Sequence, residues 1–400
     1  RSALYRDAVA GCTVGVMLIP QAMAYAVIAG MPPVYGLYAS LVPLVVYPFF
    51  GSSKQLAIGP VAIDMVIVSA GVGALATPGT DRYVTLLTGL LGVVQIAMGA
   101  ARLGFMANLL SRPVITGLTS AAALIIGFSQ LGNLMGVDLG SSQSVHWILW
   151  EAAHRAGDAH LLSVLVGASG IALLVGLPKV APRLPEPLVV VVLSILAVVG
   201  LDLHEQGVAV IGDIPQGLPA PTTPDVGFQD VRSLLPAAFT LALVQFMKDV
   251  SLGAGNLVGS FFSAIPSSGS FSRSAVNDQT GARTALSNWF AAAIIALTIL
   301  FLTPLFYYLP IPVLASIIMV SGFGLIDVGE IRELFQARRR DGALALLTAG
   351  AVLGIGIQEG ILLGIGASLL LVMHRMSRPN VAELAHVPGT RLFRDRQRFD

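Results

Sequence analysis

Apolar runs of about 15–25 residues, the length that crosses roughly 30 Å of hydrocarbon, follow one another from residue 8 to residue 374. A soluble fold of this size has no core large enough to hide them. The chain is 55% hydrophobic and only 11% charged, whereas a soluble domain carries about 25% charged residues. With mean hydropathy at +0.81, lipid is the expected solvent. The pattern predicts an all-α polytopic membrane protein. Spans are read near 8–29, 33–50, 58–76, 83–101, 114–135, 159–177 and 187–201, and again near 234–250, 252–265, 270–281, 285–308, 311–326, 342–357 and 359–374. No cleavable signal peptide is read, because the first apolar stretch runs on as a permanent span. The 43 glycines and 23 prolines suit close helix contacts and broken helices inside a membrane.

Charge placement tests this count of fourteen. With the N terminus in the cytoplasm, 19 of the 23 Lys and Arg fall on the cytoplasmic side, the exceptions being Arg82, Arg155, Arg232 and Arg273. Acidic residues such as Asp81, Asp138, Asp158 and Asp213 fall outside. That is the positive-inside pattern, and an even count returns the C terminus to the cytoplasm. Seven spans on each side of a polar stretch make an odd-numbered repeat, so the second copy must be inverted. The expected domains are a first seven-span repeat, 1–201, an extracellular polar connection, 202–232, a second repeat, 233–376, and a cytoplasmic tail, 377–400. Inverted repeats are a transporter architecture, with the substrate near the midplane where discontinuous helices meet. The third and tenth spans are the corresponding irregular pair. One opens on Ala57-Ile58-Gly59-Pro60 and the other on Pro266-Ser267-Ser268-Gly269-Ser270-Phe271-Ser272-Arg273.

Four features of these spans carry chemistry. In the first span, Pro20 withholds one helical hydrogen bond, and Gln21 and Tyr25, four apart, share a face. A glutamine amide is costly in lipid unless paired or wet. Gln21 therefore either bonds a neighbouring helix or walls a cavity, and Pro20 favours the cavity. Gly59-Pro60 suits the start of a half-helix, since proline wastes no donor at the first helical position. The N–H groups and positive dipole end there favour an anion, and the tenth span offers a second such start with Ser270 and Ser272 as donors. Arg273 is the sharpest residue. An arginine at the bilayer centre costs at least about 2.5–3.5 kcal/mol on insertion scales, which a bound anion can offset, as can snorkelling or a carboxylate. Asp64, within the third span, is either that structural partner or a proton site.

Other classes find no support. A net charge of +1 gives no case for nucleic acid, and the single Cys12 excludes an intramolecular disulfide and any cysteine-based metal site. Glu151 and His154 have Glu-x-x-His spacing, but a single copy in an outer loop is a poor metal signal. No metal or other cofactor is expected. Trp147 and Trp150 read as membrane-interface anchors, and Arg338 to Arg340 as a topology signal. No Walker A, Ser-His-Asp or His-Glu-x-x-His pattern is present, so ATP-driven pumping and hydrolysis are unsupported, and no enzyme is expected.

The run Ile19-Pro20-Gln21-Ala22-Met23-Ala24-Tyr25-Ala26, followed by Gly30-Met31-Pro32-Pro33-Val34-Tyr35-Gly36, resembles the SulP anion transporters, or solute carrier family 26. So do Phe50 to Pro60, Asn256 to Phe262, and Ser268 to Ala275. The resemblance implies a core domain and a gate domain, with the anion between the first, third, eighth and tenth spans. Carried over by motif, the site residues are Gln21, Tyr25, Val61, Ser270, Ser272 and Arg273. The family pattern also implies a cytoplasmic STAS domain following the tail, and it is compatible with a homodimer. It carries an additional stretch between the eighth span and the Asn256 block, where this chain runs almost directly on. A position that is often Glu in proton-coupled members falls near Lys248.

The leading expectation is a secondary active transporter of sulfate, bicarbonate or a small dicarboxylate such as fumarate, with a lean to a proton-coupled dicarboxylate carrier. It is expected in the inner (plasma) membrane with both termini cytoplasmic. Asp64 is the first candidate for the proton site, with Asp278 and Glu359 behind it. The rivals are an anion channel or uniporter, which needs an open path, and a nucleobase carrier on the same fold, which needs a carboxylate on the eighth span.

Overall fold

The computed structural model describes residues 2–73, 80–103, 111–139, 144–181, 184–223, 227–246, 252–377, 384–386 and 393–395. A helix lies in each of the apolar stretches read from the sequence. In the first half these are α1 (Ser2–Ile28), α2 (Pro33–Phe50), α3 (Ala62–Gly73), α4 (Thr80–Ala100), α5 (Arg112–Ser129) with its short continuation α6 (Leu131–Met135), α7 (Val145–His154), α8 (Leu161–Val180) and α9 (Glu186–Gly200). In the second half they are α10 (Phe228–Phe246), α11 (Leu252–Ser260), α12 (Phe271–Gln279), α13 (Ser287–Leu297), α14 (Ile311–Phe323), α15 (Val328–Ala337), α16 (Arg339–Ile355) and α17 (Ile357–Met376). Among the described residues, seven helical segments are long and apolar enough to cross a membrane by length and composition: Ala3–Ile28, Pro33–Phe50, Asp81–Ala100, Arg112–Met135, Leu161–Val180, Ser287–Phe306 and Ile311–Ala337. The surface agrees with that solvent. Leu161, Leu165, Leu196, Phe301 and Leu370 are each more than half exposed, an outer face suited to hydrocarbon.

The fold is not purely helical. Strand β1 (Ala57–Gly59) precedes α3, and strand β2 (Ser268–Ser270) precedes α12. They pair antiparallel, with Ala57 opposite Ser270 and Gly59 opposite Ser268. A second antiparallel pair, β3 (Leu384–His386) with β4 (Phe393–Asp395), lies in the polar tail.

The helices pack in two groups. Helices α1, α2, α4, α10, α11 and α13 lie against one another, α1 on α13 and α10 on α4, with α11 against both α4 and α2. Helices α5, α8, α9, α14, α16 and α17 form the other group, α16 on α5 and α14 on α8, with α8–α9 and α16–α17 as adjacent pairs. Helix α3 lies against α1, α4 and α10 of the first group, and contacts of α1 with α9 and α14, and of α3 with α5 and α17, join the groups. Close approach needs small residues. A Cβ on Gly36 of α2 would lie 1.9 Å from the Ala22 carbonyl oxygen of α1, so only glycine lets these two helices meet there. The connection before α10 is laid across the second half: Ile211 N–H donates to Leu309 O, Gly212 N–H to Tyr307 O, and Thr222 N–H to Phe261 O. A cavity of about 190 Å³ lies between the groups beside this connection, lined by Val27, Gln130, Asn133, Ile211 and Ile311 among others.

Candidate functional site

The paired strands set the site. Helix α12 has 9 residues, which at 1.5 Å per residue reach only about 14 Å, too short to cross a bilayer alone; the described part of α3 has 12. Because β1 and β2 run antiparallel, the two helices leave the pair in opposite directions, and both start at it. Gly59 makes the turn from strand to helix with φ of +152°, a conformation that only glycine adopts freely. Pro60 follows, and the first bonds into α3 run from the N–H groups of Asp64 and Met65 to Val61 O. The amides of Val61, Ala62 and Ile63 precede that first turn and have no intrahelical acceptor. On the other side Ser270 is the N-cap of α12, its Oγ accepting from Arg273 N–H at 3.4 Å. Ser270 Oγ also lies 3.2 Å from Ser272 Oγ.

Arg273 joins the pieces. Its side chain is buried at 2% exposure. Nη2 donates to Pro60 O at 3.1 Å, at the start of the opposite half-helix, and Nη1 donates to Gln21 Oε1 at 3.3 Å on α1. Tyr25, one turn beyond Gln21 on the same face of α1, is also buried. Among the described residues no carboxylate makes an ion pair with Arg273. The site thus holds a fixed positive charge, two helix N termini, and the polar side chains of Gln21, Tyr25, Ser270 and exposed Ser272. That arrangement suits a small anion.

The residues singled out in the sequence fall as follows. Gln21, Val61, Ser270, Ser272 and Arg273 are brought together around the strand pair, with Tyr25 alongside. Asp64 forms no salt bridge with Arg273, although its charge favours the charged guanidinium. It lies behind the strands, where Oδ2 accepts from Gln245 Nε2 at 3.0 Å and from a short bond with Ser268 Oγ. Asp278 is exposed in the last turn of α12, and Glu359 is exposed in the first turn of α17; both are away from Arg273. Lys248 lies outside the described residues. Glu151 pairs with Arg155, and the His154 ring bonds Trp150 O. Sequence reasoning missed Phe271, 75% exposed between Ser270 and Ser272, and the buried amides Gln95, Gln245 and Asn256. A polar residue inside an apolar span was the one available signal for the last three.

Apolar helices around a crossing of two short helices define a polytopic membrane protein. The chain belongs to the sulfate permease family, whose model matches residues 4–253 and 250–348. The two matched segments overlap at residues 250–253. It is 36% identical over 425 residues to the chloroplastic sulfate transporter 4.1 of Arabidopsis thaliana, covering 98% of this chain and 62% of that protein. It is 35% identical over 410 residues to a probable sulfate transporter of Mycobacterium tuberculosis, covering 96% of this chain and 72% of the relative. The chain therefore spans about three fifths of the plant relative's length. Two solved structures share the fold at 22% identity. One is the murine solute carrier 26 family member A9 anion transporter in its inward-facing state, with a TM-score of 0.89 over all of this chain and 73% of that one. The other is the transmembrane domain of a cyanobacterial bicarbonate transporter, with a TM-score of 0.77 over 92% of this chain and 97% of that one.

Proposed function

We propose that the chain is the membrane part of a secondary active transporter of small anions, sulfate first among them, working by alternating access with the anion held at the crossing of β1–α3 and β2–α12. The observation that carries this reading is Arg273: a buried cation, hydrogen-bonded to Gln21 and Pro60, placed between two helix N termini with no ion-pair partner among the described residues. Sulfate is favoured because the relatives that match at 35–36% identity are named sulfate transporters. Bicarbonate and small dicarboxylates such as fumarate are the competing cargoes.

The reading uses fourteen spans in two inverted repeats. Under the exchange of α1–α5 with α10–α14 and of α7–α9 with α15–α17, the main contacts fall in pairs. Contact α1–α13 corresponds to α10–α4, α5–α16 to α14–α8, α1–α12 to α10–α3, and α1–α9 to α10–α17. An antiparallel strand pair is itself two-fold symmetric, as such a relation requires. The group containing α1 serves as core and the group containing α14 as gate, and the cavity between them is a remnant of the path. We place both termini in the cytoplasm and the chain in the inner (plasma) membrane. Asp64, buried in the first turn of α3, is the proton site of a symport cycle.

Purified protein in liposomes tests the reading, with labelled sulfate, bicarbonate and fumarate offered with and without an inward proton gradient. Saturable uptake driven by the gradient is expected for one of them. Passive flux indifferent to the gradient would make the chain a channel or uniporter.

A further inference from the structure

Behind the crossing, six polar residues form one continuous chain, each at most 1% exposed. Ser267 N–H donates to Asn256 Oδ1 at 2.9 Å. Asn256 Nδ2 donates to Gln95 Oε1 at 3.1 Å and to Gln245 Oε1 at 3.4 Å. Gln95 Nε2 donates to Gln245 Oε1 at 2.9 Å, and Gln245 Nε2 donates to Asp64 Oδ2. Ser268 Oγ closes the circuit on the same oxygen. The circuit joins α3, α4, α10 and α11 to the start of β2, and it begins and ends on adjacent residues, Ser267 and Ser268.

Its direction is fixed by one group. A backbone N–H can only donate, so Ser267 forces the oxygen of Asn256 toward itself and the nitrogen toward the glutamines. Gln245 must then accept on Oε1 and present Nε2 to Asp64. No amide can turn over without setting donor against donor or leaving Ser267 N–H without its acceptor. Buried polar chains of this kind are costly when partly satisfied and specify one arrangement when complete. The hold on β2 therefore depends on what Asp64 offers at its far end. A proton on Oδ2 meets the Gln245 N–H, which cannot accept it, and turns the Ser268 hydroxyl from donor to acceptor in a neutral bond. A proton on Oδ1 leaves Oδ2 a neutral acceptor, and charge-assisted bonds are roughly twice as strong as neutral ones. Either way Ser268 is held less firmly while Ser267 stays tied to Asn256, and its Oγ to Ala39 O.

We propose that Gln245, Gln95 and Asn256 are positioning residues that convert the charge state of Asp64 into the position of β2, and so of Ser270 and Arg273 at the anion. This rests on the anion-carrier reading above. The amides touch no substrate. They act through Ser267 and Ser268, three and two residues before Ser270, and through the pairing of β2 with β1.

Three variants in liposomes test it, with sulfate uptake measured as KM and maximal rate across external pH. Gln245→Met keeps the side chain's length and removes its donor and acceptor, and it is expected to raise KM about tenfold at every pH. Gln95→Met, one step further from Asp64, is expected to raise it less. Gln245→Glu is the diagnostic variant. In its protonated form it can donate to Asp64 and still accept from Gln95 and Asn256, so KM near that of the unaltered protein is expected in acid. As pH rises, two carboxylates face each other and KM is expected to climb at least tenfold. A residue that only fills space would give no acid rescue. Thermal midpoints of the purified variants, followed over the same pH range, separate loss of fold from loss of positioning. Gln245→Met within twofold of the unaltered KM, or Gln245→Glu with an unaltered pH profile, overturns the inference alone. An unaltered chain that takes up none of sulfate, bicarbonate or fumarate overturns the carrier reading, and this inference with it.

Discussion

Replacing Arg273 is the most direct test of the anion site. Arg273→Ala removes the fixed charge and strands two acceptors, Gln21 Oε1 and Pro60 O, that the guanidinium now satisfies. A hydrogen bond to a charged group contributes about 1.5–3 kcal/mol. One such contact to the anion, at about 1.4 kcal/mol per factor of ten, predicts a rise in KM of roughly 10- to 150-fold. Coulomb attraction adds to this in proportion to the anion's charge, so sulfate should suffer more than bicarbonate. Arg273→Lys keeps the charge but cannot fork to both acceptors, and about a tenfold rise is expected. The assay is the initial rate of labelled sulfate uptake into proteoliposomes at fixed membrane potential, with bicarbonate run in parallel. Size-exclusion behaviour and the thermal midpoint report whether the variant is folded. A folded Arg273→Ala protein with sulfate KM within twofold of the unaltered value would refute the reasoning, because the charge would then serve only to hold Gln21 against Pro60.

Three further outcomes are expected. Gly59→Ala should abolish uptake, since a Cβ there meets Leu18 at 2.9 Å and Arg273 Nη2 at 3.3 Å and the backbone stands at φ +152°; transport at more than half the unaltered rate would count against the crossing as the site. Cysteines placed at Gln21 or Tyr25 in a Cys12→Ser background should react with water-soluble thiol reagents and be protected by sulfate, whereas inert cysteines would put that face of α1 in packed protein. For coupling, a divalent anion entering an inside-negative cell works against roughly 2.3 kcal/mol per charge per 100 mV. Each co-transported proton cancels one charge of that load, so uptake should rise as external pH falls, and Asp64→Asn should remove the dependence; a pH profile unchanged in that variant would move the proton site elsewhere.

The apolar helices were legible because hydrocarbon leaves little choice: a run such as Leu161 to Leu177 has one stable use. The half-helices were legible through punctuation, Gly59-Pro60 on one side and the serine-rich turn before Arg273 on the other. What sequence could not give was partnership. Three-residue strands carry no period, and the pairing of Gly59 with Ser268 joins positions far apart in the chain. Asp64 looked like a partner for Arg273 because both are charged residues in apolar surroundings. The fold instead turns Asp64 toward Gln245 and Ser268, on the other side of the strands. Gln95, Gln245 and Asn256 each look like an ordinary interhelical packing bond, and only their meeting in space makes them a circuit. Helix α15 escaped because it is polar and short, yet Arg112 at the start of α5 ties it down through Glu330 and Glu333 at 2.7 and 3.4 Å.

The β1–β2 pair also has a consequence in time. Residue 57 leaves the ribosome 211 residues before residue 268. At roughly 5–20 residues per second that is an interval on the order of 10–40 seconds. Throughout it, Ala57 to Gly59 have no ladder partner, and unsatisfied peptide groups in hydrocarbon cost several kcal/mol each. The nascent first half must therefore keep this segment out of lipid, against its own helices or the insertion machinery, until the second half arrives. The site is assembled last, by a strand that both halves need and neither can complete, so two separately synthesised halves should regain transport only when they are made together in one membrane.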